Sequence, residues 1–476
     1  MLALNVDVDP NRCRMLGLVG SVALTAGGLT AGALPLAEEP AATSGRAALG
    51  LMCAYFGIVL LIAAWWWLGR AVRGTRPLAV RELLITLAVW ATPLVLGPPL
   101  FSRDVYSYLA QGAMVDAGLD VYTNGPHDLG GPLAAEVAPV WQHTPAPYGP
   151  VFLTVASKAA ALARIDLPAG VIGMRLVALA GVGLMIVFLP RLARRCGVEP
   201  SAALWLGVLN PLVLLHLIAG AHNDALMLGL LCAGLAAALH GWSVRAAVLI
   251  ALAALVKAPA AIGLLLVADV WSARFAGRAR LFRAAVLTGA VAVTTTVAVT
   301  ALSGTGYGWL GALGTPVSSD NWSLTSGLGR LTGLLLDQLG GGHGALALPA
   351  WRWFGLAATA VLVLALWLRR TALGPLYAMA LSLLAVFVLG PAARPWYALW
   401  GLCLIAVSAP AGRVRNWAAA GSGILALALL PSGSPPDGLQ LSLAVCGGVF
   451  ALVALWWMFF LTPEPGIATT RPRTAS

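Results

Sequence analysis

Charge is scarce in this chain. Only 10% of its 476 residues are charged, against about a quarter in an ordinary soluble domain, and that shortage excludes a water-soluble globular fold. Cysteine is sparse as well. Cys13, Cys53, Cys196, Cys232, Cys403 and Cys446 lie mostly within apolar runs and form no C-x-x-C pair, so neither a disulfide framework nor a zinc site is expected. The histidines show no ligand spacing. Gly304, Gly306 and Gly308 match only part of a dinucleotide fingerprint, and no strand precedes them, so no nucleotide site is expected.

What the chain has in abundance is hydrocarbon. Hydrophobic residues make up 60% of the sequence, and mean hydropathy is +0.87. Apolar runs recur from end to end, many near the roughly 20 residues that cross a bilayer. Inside a bilayer the backbone has no water to bond, so such runs must be helices. They lack the alternation of a membrane barrel. The net charge of +11 does not point to nucleic acid, because Lys and Arg sit in short clusters between apolar runs, the pattern that sets membrane topology. The bilayer is the expected partner.

The basic clusters fix an orientation. Arg12/Arg14, Arg70/Arg73/Arg76/Arg81, Arg191/Arg194/Arg195, Arg245, Arg274/Arg278/Arg280/Arg283, Arg369/Arg370, Arg413/Arg415 and Arg471/Arg473 are all placed in the cytoplasm. The first run, from about Met15, reads as a retained signal anchor. Spans are expected near 15–36, 47–69, 82–98, 169–190, 200–218, 222–241, 284–303, 351–368, 374–391, 396–411, 416–432 and 439–461. The stretch 148–163 carries Lys158 midway and would put Arg191, Arg194 and Arg195 outside if it crossed, so it reads as a helix lying at the outer interface. Residues 244–271 have basic flanks on both sides. With Lys257-Ala258-Pro259 at the centre, they read as a hairpin of two short helices. The expected fold is thus all-α and polytopic, with about 14 transmembrane helices and both termini inside. It divides into first spans (15–98), a first outer loop (99–168), central spans (169–303), a second outer loop (304–350) and C-terminal spans (351–461).

Polar residues cluster at the outer ends. In Leu100-Phe101-Ser102-Arg103-Asp104-Val105-Tyr106-Ser107-Tyr108-Leu109-Ala110-Gln111-Gly112, helical spacing puts Asp104, Ser107, Tyr108 and Gln111 on one face. A carboxylate just outside a span suits a general base; it also suits an ordinary helix start, favoured by the dipole. Tyr122 and Tyr148 fit interfacial anchors or platforms for sugar rings. His222-Asn223-Asp224, at the mouth of a span, either caps a helix or grips hydroxyl groups. Lys257 lies near membrane depth, which marks a functional group unless it snorkels to the headgroups. Arg394, followed by Pro395, Trp396 and Tyr397, offers a planar fork suited to phosphate. The second outer segment adds Asp320 and Trp322.

With these residues in view, the chain resembles the GT-C superfamily of polyprenyl-phosphate-sugar-dependent glycosyltransferases. The FSRDVYSYLAQG, YGP, NPL…HND and VKAP segments resemble, more narrowly, actinobacterial polyprenol-phosphate-mannose-dependent α-1,6-mannosyltransferases of lipomannan and lipoarabinomannan biosynthesis, over roughly residues 15–460. The resemblance implies a GT-C-like fold whose extracytoplasmic loops carry interfacial helices, in the plasma membrane, with an extracytoplasmic active site and Asp104 as catalytic base. It implies a polyprenyl-phosphate-mannose donor, a mannan or phosphatidylinositol-mannoside-type acceptor, and inversion to an α-1,6 product. Lys257 and Arg394 are then candidates for the donor phosphate. Arg103, Tyr108, Gln111, Tyr122, Tyr148, His222, Asn223, Asp224, Asp320, Trp322, Trp396 and Tyr397 are candidates for sugar and acceptor contacts. Arg103-Asp104 has no adjacent second acid, so no metal and no cofactor beyond the lipid-linked sugar substrate are expected. Two rivals are an arabinosyltransferase using polyprenyl-phosphate-arabinose on the same scaffold, and a transporter or lipid flippase. The large asymmetric outer loops and the lack of a repeat favour an enzyme over the latter.

Overall fold

The computed structural model describes residues 9–460 except 37, 39, 41–43, 75–76, 165, 315–321 and 341–343. Among the described residues every regular element is helical. In order they are α1 (Pro10–Ala31), α2 (Gly45–Val72), α3 (Val80–Leu96), α4 (Asp104–Asp116), α5 (Gly131–Ala135), α6 (Pro150–Ala163), α7 (Leu167–Arg195), α8 (Pro200–Gly207), α9 (Asp224–Leu239), α10 (Ser243–Ala254), α11 (Gly263–Ser272), α12 (Arg280–Ser303), α13 (Leu324–Gln338), α14 (Gly344–Leu368), α15 (Arg370–Leu373), α16 (Pro375–Leu389), α17 (Leu399–Ser408), α18 (Arg413–Ala426) and α19 (Gly438–Phe460). Six of them, α1, α2, α7, α12, α14 and α19, are long and apolar enough to cross a bilayer. The chain is an all-helical polytopic membrane protein. Its outer helices leave large apolar side chains uncovered by protein, such as Val293, Trp353, Val361, Phe450 and Trp457, as lipid contact requires and water would not allow.

The inner helices pack into one apolar core. Trp65 of α2 stacks on Trp205 of α8 with ring centroids 4.9 Å apart. Each indole N–H donates to the other's backbone carbonyl, at 3.0 and 2.9 Å, so two buried tryptophans satisfy each other's polar atoms. α4 lies against α6, and Gly112 makes that approach possible: a Cβ there would stand 2.4 Å from the Ala156 carbonyl carbon.

Most expected segments coincide with helices, and the differences have local causes. The span expected at 200–218 is broken. α8 stops at Gly207, Asn210-Pro211 follows, and Val213–Ala219 forms a π-helical stretch. The Asn210 side-chain carbonyl accepts from the Leu212 N–H at 2.9 Å, and Pro211 has no N–H to continue an α-helical ladder. The chain then turns by 108° into α9, through Ala221 at φ +52°. The helix expected over 416–432 ends at Ala426. The second outer loop carries a helix: α13 lies within it, burying Thr325, Ser326, Gly329 and Gly333 while leaving Leu324, Leu331, Leu334 and Leu335 exposed. That period marks an amphipathic helix. The first run starts at Pro10, capped by the Asp9 carboxylate, rather than at Met15.

Two hairpins of short helices stand side by side. One is α10–α11 with Lys257 in its turn; the other is α16–α17 with Arg394 in its turn, and α16 packs against the Ala258–Ile262 turn. In each, the basic residue has extended backbone, φ −154° for Lys257 and −127° for Arg394, and a proline follows within two residues. Proline disfavours helix in the residue before it. That accounts directly for Arg394, which Pro395 follows; at Lys257 the proline is Pro259, in the first turn of the short 3-10 helix Ala258–Ile262 that Lys257 precedes.

Candidate functional site

The site forms where those two turns meet α4. A cavity of about 460 Å³ is lined by Asp104, Ser107 and Gln111 of α4, by Trp141, Thr144, Pro145, Pro147 and Tyr148 of the following segment, by Lys257, Ala258 and Pro259, and by Arg394, Trp396, Tyr397 and Trp400. Leu356, Thr359 and Val386, from α14 and α16, complete it with a largely apolar wall. One carboxylate, two cations and five large aromatic rings thus share a pocket that also meets lipid-facing helices.

Asp104 begins α4, with its own N–H donating to the Ser102 hydroxyl at 3.0 Å. Burial raises its carboxyl above the usual carboxylate range; the charges of Arg394 and Lys257 and a hydrogen bond with Ser102 oppose that rise. Desolvation and the nearby cations thus act on this carboxyl in opposite directions. His222 lies behind it, fully buried, with Nδ1 3.7 Å from the Asp104 carboxylate and 3.2 Å from the Tyr108 hydroxyl. Its ring stacks on Trp396 at 3.9 Å. Tyr108 does not line the cavity. It sits beneath it, edge-on to Tyr148 and Phe152.

Lys257 is held on two sides. Its ammonium donates to the Asp224 carboxylate at 2.8 Å and lies 4.4 Å from the centre of the Tyr397 ring. The other Asp224 oxygen accepts from the Trp400 indole at 2.6 Å. Asp224 itself is completely buried, as the first residue of α9 after the 108° turn. Asn223, also buried, does not line the cavity. The Arg394 turn is braced by the start of α13: the Ser323 and Ser326 hydroxyls both donate to the Pro391 carbonyl, at 3.1 and 3.0 Å, and Thr325 donates to that of Gly390.

Asp104, Gln111, Tyr148, Lys257, Arg394, Trp396 and Tyr397 therefore come together in one cavity, although they are up to 293 positions apart in the chain. Other candidates stand elsewhere. Arg103 points away, donating to the Leu34 carbonyl at 2.7 Å and pairing with Glu136. The Tyr122 hydroxyl donates to the Tyr148 carbonyl at 3.1 Å, in a small separate apolar cluster with Met114 and Leu153. The Trp322 side chain is exposed, and only its carbonyl, accepting from Ala393, serves the Arg394 turn. Asp320 lies outside the described residues. The motif reading missed Trp141, Thr144 and Trp400. Trp400 carried a signal, three residues past Tyr397 on the same helical face; Trp141 and Thr144, in a non-periodic segment, carried none. Among the described residues no three His, Cys, Asp or Glu side chains are grouped as metal ligands.

No solved structure matches the chain. It is 36% identical to an alpha-(1->6)-mannopyranosyltransferase A of Mycobacterium tuberculosis, over 94% of this chain and 90% of that one. It is 32% identical to an alpha-(1->6)-mannopyranosyltransferase B of Corynebacterium glutamicum, over 95% and 83%. A family model described as MptB C-terminal domain matches residues 325–459, which contribute Arg394, Trp396, Tyr397 and Trp400 to the cavity. The alpha-(1->6)-mannopyranosyltransferase N-terminal domain matches residues 14–274, more than half the chain and the part bearing Asp104 and Lys257, and the protein belongs to this alpha-(1->6)-mannopyranosyltransferase family.

Proposed function

We propose that the protein is an inverting mannosyltransferase. It moves mannose from polyprenyl-phosphate-mannose to a mannan or phosphatidylinositol-mannoside-type acceptor, forming α-1,6 linkages on the extracytoplasmic side of the plasma membrane. The observation that carries this reading is the sharing of one cavity by the Asp104 carboxylate and the Lys257 and Arg394 cations. The relatives named as alpha-(1->6)-mannopyranosyltransferases support the sugar and the linkage.

In the proposed reaction Asp104 takes the proton of the acceptor 6-hydroxyl as its oxygen forms a bond to the anomeric carbon. The bond from that carbon to the phosphate oxygen breaks, and polyprenyl phosphate leaves with the electron pair. Lys257 and Arg394 face the charge that develops on the phosphate, the place where fixed cations accelerate transfer most. The lipid tail lies along the wall formed by Leu356 and Val386, and Trp141, Trp396 and Tyr397 offer ring faces to sugars. The donor is already activated, so the reaction needs no nucleotide.

Membranes bearing the protein, incubated with labelled polyprenyl-phosphate-mannose and a short α-mannoside, should yield an extended product whose new linkage is α-1,6. Transfer from polyprenyl-phosphate-arabinose instead, or no transfer from either donor, would overturn the assignment.

A further inference from the structure

The segment that starts α4 is held in an unusual backbone conformation by a part of the chain more than 300 residues away. Phe101, buried and aromatic, has φ +66°, a left-handed conformation that a bulky residue adopts only where its surroundings impose it. Its N–H donates to the Pro431 carbonyl at 2.7 Å, and its ring meets His216 edge-on at 5.5 Å. Pro431 belongs to the irregular segment after α18, where a membrane span was expected. That segment is itself anchored. The Tyr55 hydroxyl of α2 lies within hydrogen-bonding reach of the Leu427 and Leu429 carbonyls, at 3.4 and 3.1 Å, and Leu430 and Pro431 are buried.

Gly433 completes the contact. At φ +79°, it packs its Cα against the backbone just before Asp104: a Cβ there would stand 2.8 Å from the Ser102 Cα, 3.0 Å from the Ser102 N and 3.2 Å from the Phe101 carbonyl carbon. These are backbone atoms, with no flexible side chain to yield. Ser102 in turn receives the Asp104 N–H. Pro431 and Gly433 therefore touch the two residues that set where the Asp104 carboxylate stands.

We propose that residues 427–434 form a strap that positions Asp104, and that Gly433 is a positioning residue for the transfer reaction. The proposal rests on the reading of Asp104 as the base. It gives the C-terminal part of the chain a second contribution: besides supplying Arg394 and its aromatic neighbours, it holds the acid of the N-terminal part at its working distance from them. Misplacement of a reacting group by about 1 Å costs on the order of 100-fold in rate, so a strap that moves Ser102 by a few tenths of an ångström acts mainly on turnover.

The test compares three full-length variants in membranes with the labelled donor and the mannoside acceptor. Gly433→Ala should lower kcat by about tenfold or more with both KM values nearly unchanged. Gly197→Ala places the same methyl at a glycine of similar φ, +68°, with nothing within 4 Å, and should keep wild-type kcat, which separates backbone strain from contact with Ser102. Tyr55→Phe loosens the anchor of the strap without touching Phe101 or Asp104, and should give a smaller loss of kcat, again at constant KM, even if Gly433→Ala fails to accumulate. Wild-type kcat in either Gly433→Ala or Tyr55→Phe, or a fall in melting temperature alone, overturns the strap. Retained activity in Asp104→Asn would instead overturn the base assignment on which it rests.

Discussion

The Lys257 ammonium stands 2.8 Å from the Asp224 carboxylate, within a cage made by the rings of Tyr397 and Trp400. Asp224 is wholly buried and Lys257 nearly so, with side-chain exposures of 0% and 13%. A lysine needs such a partner to remain charged beside an apolar wall. One ammonium N–H is spent on Asp224 and leaves two for the cavity. The pair thus keeps a cation at the wall of the cavity.

Breaking that pair from one side should cost stability, and breaking it from both should restore it. Asp224→Asn leaves the ammonium uncompensated, a loss of roughly 3–5 kcal/mol for a buried pair. Lys257→Met together with Asp224→Asn should recover most of the melting temperature in detergent while leaving donor-dependent transfer near background. A double variant no more stable than Asp224→Asn would show that the two charges are not coupled.

Asp104→Asn conserves size and removes the charge. It should lower transfer by 10²–10⁴-fold, the usual worth of a general base, with donor binding nearly intact. Residual turnover above about a tenth of wild type would exclude the base role.

The acid limb of the pH–rate profile should report Asp104. A base works only when deprotonated, so activity falls as pH drops through its pKa. The Arg394 charge counteracts the upward effect of burial on that carboxyl. Arg394→Gln should therefore let the pKa rise further and move the acid limb to higher pH, apart from any loss in donor affinity. An unmoved limb, or one displaced to lower pH, would separate the two residues.

Trp141 lines the cavity from the segment after α4, away from both cations in sequence, and suits an acceptor sugar. Trp141→Ala should raise the acceptor KM by about 3–10-fold, the equivalent of a lost ring contact of about 0.5–1.5 kcal/mol, with the donor KM unchanged. A larger effect on the donor would assign the ring to the other substrate.

The orientation can be read at Arg164, exposed at the end of α6. In a background lacking the exposed Cys196 and Cys446, Arg164→Cys should react with an impermeant thiol reagent added to intact cells. Labelling only after permeabilisation would invert the arrangement of α6 and α7.

How much could be read from sequence follows from how local each signal is. The shortage of charge and the length of the apolar runs determined an all-helical membrane protein, because in hydrocarbon the backbone must bond within its own segment. The α4 motif put Asp104, Ser107, Tyr108 and Gln111 on one face, since a period of 3.6 is a property of the helix alone; of the four, Tyr108 does not line the cavity. Lys257-Ala258-Pro259 marked its hairpin turn, because proline acts on its immediate neighbours. The same local signals could not reveal that Arg103, next to Asp104, points away to Glu136, nor that α18 stops short at Ala426. Hydropathy did not distinguish the end of a span from the irregular segment after α18, since Leu427, Ala428, Leu429 and Leu430 continue the apolar run beyond Ala426. Only the tertiary structure decided that Asp224 holds Lys257, that the two hairpin turns meet over α4, and that Pro431 and Gly433 reach Phe101 and Ser102. Those relationships join residues 33 to more than 300 positions apart, and they depend on packing between helices, which no period or spacing within one helix encodes.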